Sequence, residues 1–121
     1  MFSKVYVGGT ALVYAGIGAA CMLWPGELLG SVGVVPADSS GVIELRAMYG
    51  GLELGMAAFL VWTLVTGQIR AGVMASWLSI GGLGVVRAGA WLAAGMPSSL
   101  HPWLLLAEVT VLILGPIALW K

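Results

Sequence analysis

The chain has 121 residues, of which 60% are hydrophobic and 8% charged, and its five basic and five acidic side chains cancel to zero net charge. With a mean hydropathy of +1.05, that composition lies outside the range of soluble domains and marks an integral membrane protein. It leaves no room for a soluble catalytic module, and the scattered basic residues form no polybasic patch, so nucleic acid is not expected as a partner.

Runs long enough to supply the roughly 20 helical residues that cross a hydrocarbon core predict four spans, near 5–24, 42–65, 71–94 and 102–120. They account for one domain over 1–121. The expected fold is all-α: an integral membrane four-transmembrane-helix bundle of up-down topology, with both termini on the same side. In the first span, Lys4 precedes an apolar run that reaches Cys21, as in a secretory signal. Its length and the Gly18 three residues before Cys21 favour a retained span. Cys21 is the only cysteine, so neither an intrachain disulfide nor a cysteine metal site is expected, and a helix contact is the simplest role for it. Ala11, Ala15 and Ala19 form a small-residue stripe on this span.

Trp24-Pro25-Gly26 ends the first span, and the cluster Pro36-Ala37-Asp38-Ser39-Ser40-Gly41 caps the start of the second. Thr66-Gly67-Gln68 and Gly95-Met96-Pro97-Ser98-Ser99 are the other two links. Links this short make consecutive helices antiparallel neighbours. Ala47, Gly51 and Gly55 line one side of the second span, and Gly72, Ser76, Gly84 and Ala88 run along the third. Such residues let backbones approach in lipid. Gly81-Gly82-Leu83-Gly84 looks like a phosphate loop, but it has no preceding strand and no lysine, so packing is its expected role.

Lys4, Arg70 and Lys121 fall on the side of the termini, and Glu27, Asp38 and His101 on the other. The positive-inside rule then places both termini in the cytoplasm. Trp24, Trp91 and Trp103 mark outer span ends, and Trp62 and Trp120 inner ends, as an interfacial belt requires. Trp77 sits off that belt, where packing and pocket lining are equally good readings.

Five ionisable residues lie within the spans: Glu44, Arg46 and Glu53 in the second, Arg87 in the third and Glu108 in the fourth. Charge in a bilayer costs several kcal/mol, so it marks a functional position by default. Counted from the outer ends, Arg46, Tyr49, Arg87 and Glu108 lie about 6, 10, 10 and 9 Å deep, so residues far apart in sequence share one layer. At about 100° per residue, Arg46, Tyr49, Gly50 and Glu53 share a face expected to look inward, with Glu44 nearly opposite. Glu44 also suits the first turn of its helix, where the dipole favours a carboxylate; capping and participation in the site are both open. Arg46, Arg87, Glu53 and Glu108 balance, which by itself suits two buried ion pairs that fix helix register. Glu44 leaves one carboxylate in excess. Low dielectric favours the uncharged form of an unpaired carboxylate, and Glu53, about 16 Å deep with no cation at its level, holds that position. His101 belongs near the outer mouth. One histidine and one cysteine make a zinc or haem site unexpected, so neither metal nor cofactor is anticipated.

Glu44-Leu45-Arg46-Ala47-Met48-Tyr49-Gly50-Gly51-Leu52-Glu53-Leu54-Gly55, with Gly84-Val85-Val86-Arg87 and Leu106-Ala107-Glu108 further on, resembles an uncharacterised bacterial four-helix membrane family, the domain-of-unknown-function family 4345. The similarity covers nearly the whole chain. One departure is Val86, since that family's usual third-helix pattern is Gly-Arg. The resemblance implies a four-helix bundle with a recurring polar site and no established substrate.

Three functions compete. The first is a membrane-embedded site for a lipophilic small molecule, with acid–base catalysis such as epoxide opening, isomerisation or cyclisation. There Glu53 or Glu108 is general acid or base, Tyr49 a proton donor, and Arg46 and Arg87 orient substrate and stabilise anions. Glu44, Trp77 and His101 complete the binding site. The second is a proton-coupled small-molecule transporter acting as a dimer, against which stands a first helix without a glutamate. The third is a structural or accessory membrane subunit. Homo-oligomerisation fits all three, and enzyme status is left open.

Overall fold

In a computed structural model that describes residues 1–95 and 101–120, each of the four expected spans forms a helix. The elements are α1 (Phe2–Leu23), α2 (Pro25–Gly30), α3 (Ser39–Leu45), a π-helical turn (Arg46–Gly51), α4 (Leu52–Val65), α5 (Ile69–Ala94) and α6 (His101–Trp120). From α3 through the π turn to α4 the helix is continuous. Among the described residues there is no strand, and four helices of 22, 27, 26 and 20 residues are long and apolar enough to cross a membrane. The fold is all-α, the class expected of a four-span bundle. Large side chains stand outward along these helices, including Leu12, Val65, Leu92 and Trp103; a lipid surrounding is what makes that exposure tolerable. The expected link at 95–99 falls mostly outside the described residues, and so does Lys121.

Residues pack into two compact units, Gly8–Trp62 on one hand and Met1–Val7 with Thr63–Lys121 on the other. In the first, Gly18 of α1 faces Leu54 and Glu53, and Gly50 faces Met22, which makes α1 and the α3–α4 helix antiparallel. A methyl group built on Gly18 would stand 3.0 Å from the Leu54 backbone nitrogen, so close approach requires glycine there. The expected stripe of Ala47, Gly51 and Gly55 is not where this contact lies, because Gly51 and Gly55 are exposed. Between α1 and α3 the sequence suggested only a turn, but α2 forms, begun by Pro25 in its first turn, where the missing N–H costs nothing. Its Leu29 packs with Cys21 and Leu45 in a small buried cluster, which gives Cys21 a packing role. Asp38 caps α3 by accepting from the Gly41 N–H at 2.9 Å.

In the second unit, α5 and α6 run antiparallel in a tight seam. Gly84 faces Glu108, Gly81 faces Leu112, and Gly115 faces Trp77. Gly72 lies against Val7 and Thr63. Gly72, Ser76 and Gly84 of the expected third-span stripe are buried. Proline at 116 lacks the N–H that would bond the Leu112 carbonyl. Trp77 Nε1 donates to that carbonyl instead, at 3.0 Å. Near the end of α6, where the last carbonyls lack helical partners, Ser3 Oγ donates to Ala118 O at 2.8 Å.

Candidate functional site

Arg87 lies on α5, three residues after Gly84, and Glu108 lies on α6, where its Cβ makes the close approach to Gly84. Because glycine puts nothing between the helices, the carboxylate reaches the guanidinium squarely. Arg87 Nε donates to Glu108 Oε1 at 3.0 Å and Oε2 at 2.8 Å, and Nη2 donates to Oε1 at 2.8 Å. This two-pronged geometry is the strong form of a charge-assisted pair. Glu108 is buried and Arg87 partly so. The third guanidinium nitrogen, Nη1, lies 3.0 Å from His101 Nδ1. Arginine has only donors, so Nδ1 accepts and the ring hydrogen sits on Nε2. Arg87 and Glu108, 21 residues apart, and His101 between them in sequence thus form one connected polar group.

A cavity of about 300 Å³ adjoins this group, with Arg87, Trp91 and His101 in its wall and Leu83, Val86 and Ala94 supplying apolar surface. Glu108 is not in that wall. It holds the guanidinium from behind, so Arg87 and His101 are the charged and titratable groups that a cavity occupant meets. Trp91 was read from sequence as a belt residue only. Its place one turn after Arg87, on the same helical face, was the signal available for a larger role.

Four of the other sequence-selected residues, Arg46, Tyr49, Glu44 and Glu53, lie in the first unit. Arg46 is exposed and its Nε donates to the Met22 carbonyl at 3.1 Å, so it caps the carbonyl end of α1 with a cation, a favourable position on the helix dipole. Tyr49 is 41% exposed and Glu44 is exposed in α3. Glu53 is half-buried in the first turn of α4 and makes no ion pair among the described residues. The expected inward face of Arg46, Tyr49, Gly50 and Glu53 is therefore only partly enclosed. A π turn runs over Arg46–Gly51, which a constant 100° wheel does not contain; wide turns of this kind recur at functional sites. Trp77 is held by its hydrogen bond to Leu112 and its contact with Gly115, so packing accounts for it. One of the two register-fixing ion pairs anticipated from charge balance is present, Arg87 with Glu108. Among the described residues no group of three His, Cys, Asp or Glu side chains is arranged to hold a metal ion.

A family model described as Domain of unknown function (DUF4345) matches residues 2–120. The chain belongs to that family. For this DUF4345 protein, no curated protein and no solved structure gives a match. The family carries no assigned reaction, so the chemistry of the DUF4345 chain rests on its own residues.

Proposed function

We propose that this membrane protein binds a lipophilic small molecule in the α5–α6 cavity and performs acid–base chemistry on it, such as isomerisation or epoxide opening. The observation that carries the reading is the Arg87–Glu108–His101 group set against an apolar cavity. In it, Arg87 holds a substrate oxygen and stabilises charge that develops there. His101 exchanges the proton, a role suited to imidazole: Nδ1 takes it up when that lone pair leaves Arg87 Nη1, and returns it to the substrate. Glu108 is a positioning residue that fixes the guanidinium. Within the other unit, Glu53, free of ion pairs among the described residues, is a separate candidate acid, with Tyr49 and Arg46 near it in sequence on the π turn. The setting proposed is a bacterial inner membrane with both termini cytoplasmic and the protein as a homo-oligomer.

The test uses purified protein in nanodiscs, with lipophilic ketones and epoxides as probes in deuterated water. Mass spectrometry then follows deuterium entering the ketone and loss of the epoxide. Wild type should exceed empty nanodiscs, with H101Q and E108Q each falling at least tenfold. Equal rates in wild type, variants and empty discs would overturn the reading.

A second reading keeps support from one observation: the close approach of Gly84 to Glu108, 3.0 Å from a built methyl carbon to the Glu108 Cβ, suits an ion pair that locks helix register in a structural subunit. The two readings separate on turnover, which only the first requires.

A further inference from the structure

The described lysines and arginines divide into two kinds. Arg87 is paired with Glu108, and Arg46 donates to the Met22 carbonyl. Lys4 and Arg70 are exposed and make no hydrogen bond or ion pair among the described residues. Both of these free cations line one cavity of about 340 Å³, with Ser3, Ile69, Ala118 and Leu119 in its wall and no Asp or Glu side chain. Lys4 is the third residue of α1, Arg70 the second of α5 and Leu119 the second from last of α6. At 1.5 Å per residue the cavity therefore lies within about 5 Å of three helix ends. A bilayer presents its phosphates, rather than its hydrocarbon, at that level.

The helix ends themselves do not decide the sign of the cavity. α1 and α5 begin there and α6 ends there. Each end carries about half an elementary charge, so two positive ends against one negative leave only a small positive remainder. Ser3 Oγ already donates to the Ala118 carbonyl, which occupies one acceptor at the α6 end. Two full side-chain charges set the sign instead. A basic pocket between transmembrane helices suits an anionic headgroup. We propose that this cavity binds an anionic phospholipid, with Lys4 and Arg70 on the phosphate and Ile69 and Leu119 along the first carbons of an acyl chain. Arginine offers the phosphate a planar fork and lysine a point charge. A dissolved phosphate would use the cations but leave the apolar wall empty. Cations that only set topology need no cavity. Arg70 and Arg87 stand about 25 Å apart along α5, so this site is distinct from the α5–α6 cavity and does not rest on the reaction proposed there.

The experiment titrates the full chain, in neutral maltoside micelles, with dioleoyl phosphatidylglycerol or dioleoyl phosphatidylcholine and counts bound lipid by native mass spectrometry. Inorganic phosphate serves as the competitor that separates a dissolved anion from a lipid. One phosphatidylglycerol should bind saturably per chain, phosphatidylcholine should bind about tenfold more weakly, and millimolar phosphate should displace neither. K4Q and R70Q should each weaken phosphatidylglycerol binding about fivefold, the effect of one cation near an anionic headgroup. Both side chains are exposed, so the thermal midpoints of these variants should match wild type. Adding V65K to K4Q restores the net charge at the exposed last residue of α4, outside the cavity wall, and should leave binding weak. Equal binding of the two lipids by wild type, undiminished binding by K4Q and R70Q, full recovery with V65K, or displacement by inorganic phosphate would overturn the proposal.

Discussion

Single side chains in this protein differ sharply in what their loss should cost. Glu108 is buried against a guanidinium that uses both its oxygens, so E108Q leaves a partly buried arginine without its counter-charge. Breaking such a pair costs about 3–5 kcal/mol, read as a fall in the denaturant midpoint in mixed micelles. E53Q has no ion pair to break among the described residues and should stay within about 0.5 kcal/mol of wild type. If E108Q and E53Q proved equally mild, the pair would not be holding α5 to α6. Trp77 and Pro116 make a second residue-level case. W77F should cost about 1 kcal/mol, the worth of one hydrogen bond. In a P116A background the helix regains its own donor for the Leu112 carbonyl, and the cost of W77F should shrink, a coupling that a double-mutant cycle measures. Charge type and position were readable from sequence, since Arg87 and Glu108 were placed at nearly the same depth. Trp77's bond was not, because it depends on which α5 residue lies opposite the carbonyl freed by Pro116.

At the level of helices, glycine position decides the seams. G84A brings a methyl group within 3.0 Å of the Glu108 Cβ, whereas nothing lies within 4 Å of one at Gly82 or Gly89. G84A should therefore push α5 from α6 and lower stability by about 1–3 kcal/mol, as overpacking does. G89A gains helix propensity and should be neutral or slightly stabilising. In the first unit G18A and G16A form the same contrast, with backbone at 3.0 Å in one case and open space in the other. Thermal unfolding of the four variants decides it, and equal effects within each pair would contradict the seams. The four long helices were legible because an apolar run of spanning length has one solution in lipid. The third-span stripe was legible in the same way. The π turn over Arg46–Gly51 was not, because nothing in the sequence marks a one-residue widening; the contact with α1 lies at Gly50 and not at Gly51 or Gly55.

For the whole chain, composition alone decided the class: 60% hydrophobic residues and four helices of spanning length belong in a bilayer. Alkaline carbonate should leave the protein in the membrane pellet, and release into the wash would contradict that. The function was less legible, because a charge-balanced set of Glu and Arg serves packing and chemistry with the same residues. What the fold adds is the company of the Arg87–Glu108 pair: a histidine and a cavity. The most direct test is R87K, which keeps the charge beside Glu108 but loses the planar fork that serves Glu108 and His101 at once. If the group acts chemically, R87K should retain most of the wild-type stability while deuterium entry into the ketone probe falls at least tenfold. Unchanged deuterium entry in R87K, at a rate above empty nanodiscs, would show that the arginine fork takes no part in the reaction.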